Sequence, residues 1–573
     1  MKKVFLFVMM LLVFQAASRA QWSTNSFQNT PVVIAYDEQT TPKVAACDNG
    51  DTYISWFSIE NANYNVRMQK FDVMGNKQWD GAGVLISSNP SMTWISDHTL
   101  TTDLTGDALI SFMDIRSGYN NVYAYRIAPD GTQVWGADGI ALSNGNYFEP
   151  FAKIVVPPDN QAVFAWQRAD NTGVQKDVVV LQKIAPDGTL QWGVGGKVFS
   201  NSSYNYDYPD MVTSDNNSVI LVYTRAISGL TAPRYIYAQR IDASGNTMWA
   251  SDVAINVASG IPLGTTFSLV PDGSGGAFIS WFDDRLPNHF RAYVQHLDKS
   301  GNVSMPVNGA NLSTNATTQQ INPSVVWVTA YNCALCFYQE EDMNQNNSGL
   351  YAQKLDLSGN IKWGANGKSY IPMTGQNIQF INGRSTDSAA IVLYSSGSNS
   401  TYWAMKVDTA GNYLWSNHTV PMSSVLTFKS FLNVGPYNNK QIIATWEDKR
   451  SDAGDIYAQN IKTNGTLGPL NVGINDNPAN PAAPLSLGAV YPNPVKQKAT
   501  LKFTVGIQQH VTIQVLDING LVCKTLIDQE LKPEAYTIVW DGNNAAGSRM
   551  AAGVYILRIS SDSGVQTKKI VLQ

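Results

Sequence analysis

The chain has 573 residues, of which 44% are hydrophobic and 14% are charged, and its formal net charge at pH 7 is −5. This composition indicates a folded chain rich in strand-favouring residues, and it excludes the intrinsically disordered class. Because the chain is acidic and has no long run of Lys and Arg, it also lacks the electrostatic footprint of nucleic-acid binding.

The first segment has the pattern of a secretory signal peptide. Two lysines precede an apolar run that ends at Phe14, and Ser18 and Ala20 occupy the −3 and −1 positions before Gln21. The run is too short to cross a bilayer. We therefore expect the general export machinery to carry the chain out of the cytoplasm, with cleavage between Ala20 and Gln21 removing residues 1–20.

The region 22–475 contains eight copies of one pattern of about 56 residues. Most copies have a turn in which Asp stands three residues before Gly, or in which Gly follows Pro-Asp. Asp caps such a turn and Gly takes its left-handed position, as in the turns that close β-hairpins. The turn glycines are Gly75, Gly131, Gly188, Gly245, Gly301, Gly359, Gly411 and Gly465.

Two aromatic positions accompany the turn. Four residues after the glycine stand Trp79, Trp135, Trp192, Trp249, Trp363 and Trp415, while copies five and eight have Met305 and Pro469. Upstream, an apolar strand carries Trp56, Phe112, Trp166, Tyr223, Trp281, Phe337, Tyr394 and Trp446. Large rings at fixed positions supply the area through which repeated sheets stack on one another.

Each copy is predicted to form four antiparallel strands, as in the blades of a β-propeller. In copy two we expect strands at His98–Thr102, Ala108–Met113, Asn121–Ala128 and Thr132–Leu142. The fold class is therefore all-β, with an eight-bladed β-propeller over 22–475; a row of β-sandwiches is the alternative. We expect Val32–Tyr36, which precedes the first full copy, to complete the last blade as its outer strand. The hairpin resembles those of quinoprotein dehydrogenases, sialidase Asp-boxes and a class of long bacterial propeller repeats, which implies a fold and no chemistry.

A polar pair follows the upstream aromatic in three copies. The pairs are Asp114 with Arg116, Asp283 with Arg285, and Asp448 with Arg450, and copy three has the reverse order, Arg168 and Asp170. These residues stand where the second strand enters its loop, so we expect them on one face of the disc. They either line a polar binding surface or fix the loops and bridge neighbouring blades, and their repetition favours the second role.

Other patterns of catalytic or metal-binding residues are weak. Cys333 and Cys336 have a CxxC spacing, but they fall in a strand-like run, and we expect buried, unpaired thiols. The acidic cluster Glu340–Asp342 could supply a carboxylate for glycosidic cleavage, but we expect a solvated loop. No cofactor is predicted, and calcium at the Asp/Asn-rich turns is not supported by a motif.

A Pro/Asn/Ala-rich linker over 476–484 precedes a second series of strands. The strands are expected at Ala499–Val505, His510–Asp517, Leu521–Ile527, Glu534–Trp540, Gly553–Ser560 and Val565–Leu572. Their alternating apolar residues predict a small β-sandwich of immunoglobulin-like type. A carbohydrate-binding or adhesion sandwich is one alternative for this domain.

Residues 485–573 resemble the type A C-terminal sorting domain of the type IX secretion system. The resemblance rests on four short segments and two terminal lysines: Tyr491–Pro494, Val515–Gly520, Trp540–Gly542, Ala552–Tyr555, Lys568 and Lys569. Within these segments the motif residues are Pro492, Asn493, Pro494, Gly520, Gly553 and Tyr555. It implies that the type IX translocon and sorting machinery carry the folded chain across the outer membrane of a Gram-negative bacterium. Removal of this domain, followed by surface attachment or release, is the further implication.

The sequence thus predicts an exported protein at the cell surface or outside the cell. Because the repeats are uniform and no cluster of catalytic residues departs from them, we expect the propeller to bind a glycan or a protein without catalysis. The alternative is a secreted propeller enzyme, a lyase or a glycoside hydrolase, that acts on polysaccharide.

Overall fold

The computed structural model describes residues 21–91, 97–170, 175–227, 232–262, 265–286, 289–470, 485–518, 520–561 and 564–573. The predicted signal peptide, residues 1–20, and the predicted linker, 476–484, lie outside these ranges. The chain divides into two compact units, Met1–Pro469 and Leu470–Gln573. The described part of the chain is all-β, apart from a 3-10 helix at Thr329–Tyr331, and contains no helix able to span a membrane.

In the first unit the described strands form eight antiparallel sheets. Strand β1 (Thr30–Val33) belongs to the eighth. The first sheet has β2 (Gln39–Ala46), β3 (Thr52–Glu60), β4 (Asn63–Phe71) and β5 (Val84–Ser87); the second has β6 (Thr99–Thr102), β7 (Ala108–Asp114), β8 (Asn121–Ile127) and β9 (Ile140–Ala141); the third has β10 (Tyr147–Phe148), β11 (Lys153–Val155), β12 (Ala162–Asp170), β13 (Val178–Ile184) and β14 (Lys197–Phe199); the fourth has β15 (Asn205–Thr213), β16 (Val219–Ala226), β17 (Arg234–Ile241) and β18 (Val253–Ile261).

The other four sheets follow the same order of strands. The fifth has β19 (Ser268–Pro271), β20 (Ala277–Leu286), β21 (His289–Leu297) and β22 (Ala310–Asn311); the sixth has β23 (Thr318–Val328), β24 (Cys333–Asp342), β25 (Ser348–Leu355) and β26 (Lys368–Ile371); the seventh has β27 (Gln379–Ser385), β28 (Ala389–Ser396), β29 (Thr401–Asp408) and β30 (Thr419–Ser423); the eighth has β31 (Lys429–Val434), β32 (Gln441–Asp448), β33 (Asp455–Lys462) and then β1. In the second sheet, the first three strands match the predicted bounds to within one residue. The fourth begins later, because the turn and Trp135 occupy the residues before it.

Each sheet packs on the next through a cluster of buried apolar side chains. Phe57 and Phe112, for example, share the cluster between the first two sheets. A further cluster contains Ile54 of the first sheet and Ile443 of the eighth, together with Trp22 and Val32. Among the described residues, the succession of eight sheets therefore closes on itself.

The chain upstream of the first sheet completes the eighth. Strand β1 pairs antiparallel with β33, with Thr30 opposite Ala458, which confirms the predicted pairing with the last sheet. The strand begins earlier than predicted and ends at Val33, so residues 34–36 lie beyond it. The amide of Gln459 on β33 donates to the carbonyl oxygen of Ser23 over 2.6 Å. The paired strand covers a sheet edge that would otherwise present unpaired backbone groups.

In five of the described copies, the recurrent tryptophan joins its sheet to the next turn through a hydrogen bond. Trp79 Nε1 donates to the carbonyl oxygen of Pro129 in the following turn over 3.2 Å, and a Cβ atom on Gly131 would lie 3.5 Å from the same indole. The equivalent donations join Trp135 to Pro186, Trp192 to Ala243, Trp249 to Lys299 and Trp415 to Thr463. The aromatic positions therefore join neighbouring sheets, as the repeat predicts.

Cys333 and Cys336 both lie buried on β24 as free thiols, which confirms the expectation for the CxxC spacing. The two side chains belong to different apolar clusters, because residues three apart on a strand point to opposite sides of the sheet. Burial also raises the pKa of both thiols. Neither side chain is therefore poised as a thiolate nucleophile.

The second unit has two antiparallel sheets around one core. Its strands are β34 (Leu485–Tyr491), β35 (Ala499–Val505), β36 (Gln509–Leu516), β37 (Val522–Leu531), β38 (Glu534–Trp540), β39 (Gly553–Ser561) and β40 (Gly564–Leu572), with sheet orders β34-β35-β38 and β37-β36-β39-β40. Phe503 and Trp540 of the first sheet and Ile513 and Ile559 of the second share the core cluster. Strand β34 has no counterpart among the predicted strands.

Candidate binding site inside the ring of inner strands

We use the term inner strands for β2, β6, β11, β15, β19, β23, β27 and β31, which precede the second, apolar strand of their sheets. Inner strands of successive sheets contact one another, and β2 contacts both β6 and β31. On β27, Arg384 reaches the backbone next to the following inner strand, where its Nε donates to the carbonyl oxygen of Gly435 over 3.0 Å. The inner strands thus surround a central space.

Six of the inner strands have a left-handed residue near their first residues, in most cases at a bulge. These residues are Thr41, Phe151, Tyr208, Asn322, Phe380 and Phe431, with φ between 48° and 63°. The left-handed conformation costs a residue other than glycine about 1–2 kcal/mol, and such strain clusters at functional sites. Four of the six residues are aromatic, and 40% of Phe380 and 44% of Phe431 remain exposed.

A large cavity in this space has a volume of 1220 Å³. Its walls come from the inner strands of the third to seventh sheets and from the loops next to them. Four charged residues line it, and among the described residues none of the four forms an ion pair: Lys153, Asp210, Glu341 and Arg384. Aromatic side chains in the lining include Phe282, Phe290 and Phe380. The cavity can therefore offer apolar rings together with charged and amide groups.

The expectation of a solvated acidic loop at Glu340–Asp342 is wrong for the two glutamates. Strand β24 continues through Asp342, so Glu340 and Glu341 are both buried, and the turn comes only afterwards. Glu340 accepts hydrogen bonds from Asn315 Nδ2 and from the hydroxyl of Thr318. Glu341 lines the cavity, and burial raises the pKa of its carboxyl.

A smaller cavity of 280 Å³ lies beside the inner strands of the eighth, first, second and third sheets. Lys153 lines both cavities. The other residues around the smaller cavity include Lys43, Asp97, His98 and Phe151. Neither cavity could be predicted from a motif, because the lining residues are scattered over the inner strands and do not repeat.

The Asp–Arg pairs lie at the ends of the second strands, outside the lining of both cavities. Arg285 Nη2 lies 2.6 Å from Asp283 Oδ2, which also accepts a hydrogen bond from Trp281 Nε1 over 2.9 Å. The guanidinium covers the ring of Tyr293 at 3.6 Å from its centroid. Arg116 with Asp114 and Tyr123, and Arg450 with Asp448 and Tyr457, repeat this arrangement. The contacts favour a role in fixing the loops.

Copy three replaces this pairing with a different one. Arg168 Nε donates to Glu149 over 2.6 Å, and Trp166 Nε1 donates to the same carboxylate oxygen over 3.0 Å. Asp170 instead accepts from the backbone amide of Gln175. The acidic partner in this copy therefore comes from the loop before the inner strand, which the spacing of Arg168 and Asp170 does not indicate.

The motif residues of the second unit join its strands. Asn493 Nδ2 donates to the carbonyl oxygen of Lys569 over 3.0 Å, and its Oδ1 accepts from Val571 N over 2.8 Å. Asn493 thus clamps β40, the strand that carries Lys568 and Lys569. Pro492 and Pro494 flank the clamp, Gly520 has a φ of 84° in a turn, and Gly553 begins β39 two residues before Tyr555.

Three comparisons relate the chain to known proteins. Residues 489–573 match the secretion system C-terminal sorting domain family. No curated protein matches the chain. Similar solved structures include a PL25 ulvan lyase bound to a GlcA–Rha3S unit, with 10% identity, a TM-score of 0.43, and coverage of 79% of this chain and 97% of that one.

Two further solved structures are less similar. The α-L-arabinofuranosidase Arb93A from Fusarium graminearum, in complex with an iminosugar inhibitor, has 10% identity and a TM-score of 0.31, over 75% of this chain and 95% of that one. A protein of unknown function from Dyadobacter fermentans DSM 18053 has 9% identity and a TM-score of 0.33, over 56% of this chain and 95% of that one. These TM-scores carry no inference about function. The match between sequences, by contrast, identifies the C-terminal part of the chain. Residues 489–573 are a C-terminal sorting domain of the type IX secretion system.

Proposed function

We propose that this protein is a cargo of type IX secretion whose first unit binds a glycan in its central cavities, without catalysis, at the surface of a Gram-negative cell or outside it. The sorting domain supports the route of export. Two aromatic residues in the left-handed conformation, Phe380 in the wall of the larger cavity and Phe151 in the wall of the smaller one, support the binding function.

We infer that the first unit is an eight-bladed β-propeller and that the second is an immunoglobulin-like sandwich. Eight sheets with the same strand order, closed by β1, support the first inference. The two sheets that share one core support the second. We also expect signal cleavage between Ala20 and Gln21, followed by removal of the sorting domain once the chain has crossed the outer membrane.

The lining of the larger cavity suits a sugar chain. Phe380 offers an exposed ring at the bulge, and the amides of Gln339 and Asn382 line the same cavity. Sugars present apolar faces and hydroxyl groups together, so a site that combines rings with amide and charged groups matches both. A backbone held in a strained conformation keeps such a ring in place before the ligand arrives.

A glycan array tests this proposal, followed by titration calorimetry with the glycan that binds. We expect Phe380→Ala, in the larger cavity, and Phe151→Ala, in the smaller one, to weaken binding by between about threefold and tenfold, the loss of one aromatic contact each. Tyr331→Ala is the matched control, because Tyr331 is an exposed ring just beyond the far end of an inner strand. Equal effects of all three substitutions, or no bound glycan, would refute the proposal.

One observation favours a second function, the hydrolysis of a polysaccharide. Asp210 and Glu341 line the larger cavity from different sheets, and neither forms an ion pair with a described residue. Burial raises the pKa of Glu341, as a general acid requires, and a second carboxylate is the other component of glycoside hydrolysis. New reducing ends that the wild type releases from polysaccharides, and that Glu341→Gln abolishes, would establish this function in place of binding alone.

A further inference from the structure

We propose that the smaller cavity is a subsite for an anionic sugar unit, whose carboxylate or sulfate group is held by Lys153. This inference rests on the proposed binding of a glycan and specifies its chemical class. The subsite lies next to the larger cavity, because Lys153 lines both, so one sugar chain can occupy the two.

The residues around the smaller cavity include two lysines and one aspartate, so one positive charge is not balanced. Lys43 Nζ bonds Asp97 Oδ2 over 2.7 Å, and Asp97 Oδ1 accepts from the backbone amide of His98 over 2.9 Å. Both carboxylate oxygens of Asp97 are therefore occupied. The backbone of Lys153 pairs with Ala165 on β12, but its ammonium group has neither a hydrogen bond nor an ion pair with any residue in the described part of the chain. An anion on the ligand would supply the charge-assisted hydrogen bonds that its ammonium group lacks.

The direction of the pKa shift of Asp97 agrees with this count of charges. Loss of hydration disfavours its charged form, yet the nearby Lys43 and Lys153 hold the pKa of Asp97 below its ordinary value. Asp97 is thus ionised and balances one lysine. Lys43 and Lys153 together still leave one positive charge at the cavity, and they attract an anionic ligand more strongly at low ionic strength.

His98, which also lines the smaller cavity, has a buried ring nitrogen without a hydrogen-bond partner among the described residues. Its side chain is 2% exposed, Nε2 lies 2.8 Å from the hydroxyl of Ser55, and Nδ1 has no hydrogen-bond partner among the described residues. A buried polar atom without a partner costs about 1–3 kcal/mol. Burial lowers the pKa of His98 to about 3, so the ring is neutral. When the Ser55 hydroxyl donates to Nε2, Nδ1 carries a proton that has no acceptor among the described residues.

The remaining walls suit a sugar ring. Phe151, whose φ is 63°, is one of the six left-handed residues and lines the cavity together with Asn433. An aromatic ring next to an amide and an unpaired ammonium group can contact the apolar face, a hydroxyl and the anionic substituent of one sugar unit. The volume of 280 Å³ limits the subsite to a short piece of the chain.

The experiment measures binding of the purified protein to alginate, polygalacturonate, carrageenan and dextran sulfate. Each polysaccharide is compared with its carboxyl-reduced or desulfated form. We expect at least one acidic form to bind, its neutral form to bind at least about tenfold more weakly, and Lys153→Gln to cause a loss of about tenfold. Binding to alginate or polygalacturonate would identify a carboxylate as the recognised group. Binding to carrageenan or dextran sulfate would identify a sulfate.

Two variants separate recognition from structure. Lys153→Arg keeps the charge and should retain binding, whereas Lys197→Gln, which changes a lysine on β14 of the same sheet, should leave the affinity unchanged. Equal binding of acidic and neutral forms, or equal affinities of Lys153→Gln and Lys197→Gln, would overturn the anionic subsite while leaving glycan binding intact. The absence of any bound polysaccharide, neutral or acidic, would refute the proposed function itself.

Discussion

The indole of Trp22 lies against Gly75, where a Cβ atom would be 2.6 Å from Cγ and Cδ2 of the ring. In other repeats the equivalent place belongs to the tryptophan of the preceding repeat, as with Trp79 and Gly131. The eighth repeat has Pro469 at its tryptophan position. Trp22 therefore supplies the aromatic ring that the last repeat lacks, just as β1 supplies its outer strand.

Trp22→Ala should lower the free energy of unfolding by about 3 kcal/mol, because it removes a large buried ring. Trp22 is 1% exposed and stacks on Phe71 with the ring centroids 5.2 Å apart. Urea unfolding of the variant measures the loss. Phe27→Ala is the control, since Phe27 is 67% exposed. If the two variants were equally stable, Trp22 would not close the ring of sheets.

Asp283→Asn should destabilise the fold by about 3 kcal/mol and leave glycan affinity unchanged. The carboxylate is buried and accepts hydrogen bonds from Trp281, Arg285 and Asn256, so the substitution weakens its bonds to three residues at once. Thermal unfolding and calorimetric binding distinguish the two roles. A folded variant of wild-type stability that no longer binds its glycan would show instead that the Asp–Arg pairs form the binding surface.

The contribution of Asp207 to the stability of the first unit should fall as the pH rises from about 4 to about 7. Burial and the neighbouring Asp177 carboxylate raise the pKa of Asp207 to about 7, although Arg234 opposes them. The folded state therefore binds a proton that the unfolded state has released, and this stabilisation disappears as the proton leaves.

Asp207→Asn tests this pH dependence through urea midpoints between pH 5 and pH 8. The variant should gain stability relative to the wild type as the pH rises. Asp130→Asn is the control, because Asp130 is exposed and hydrogen bonds from Thr132 lower its pKa. Parallel pH profiles for the wild type and Asp207→Asn would mean that Asp207 does not hold this proton.

Deletion of 485–573 should trap the protein in the periplasm. The sorting domain carries the information for passage across the outer membrane, and it forms a unit separate from the first. Cell fractionation, together with protease accessibility on intact cells, locates the truncated protein. The full-length protein provides the control, and normal surface display of the truncated protein would contradict the assignment.

Much of the fold can be predicted from the repeats. Asp72, Gly75 and Trp79 recur because each has a local structural role. The carboxylate caps the turn, the glycine takes a φ of 91°, and the indole joins the next sheet. The role of Trp22 was not predictable, because its partner Gly75 lies in another repeat and only closure of the ring of sheets brings them together.

The candidate site was far less predictable. The left-handed residues Phe151, Tyr208 and Phe380 share a backbone conformation but no sequence motif, so periodicity does not reveal them. Lys153 and His98 come from different sheets, and the cavity they line exists only once those sheets have packed. The Asp–Arg pairs could be found because they repeat, whereas the residues around the cavities differ from one repeat to the next.

The most direct test of the central claim is a crystal structure of the protein with the oligosaccharide that the array identifies. We predict sugar density in the larger cavity, in contact with Phe380, and an anionic group of the same chain within hydrogen-bond distance of Lys153. Sugar bound only on the outer surface of the sheets or on the sorting domain, with both cavities free of it, would contradict the proposed binding site.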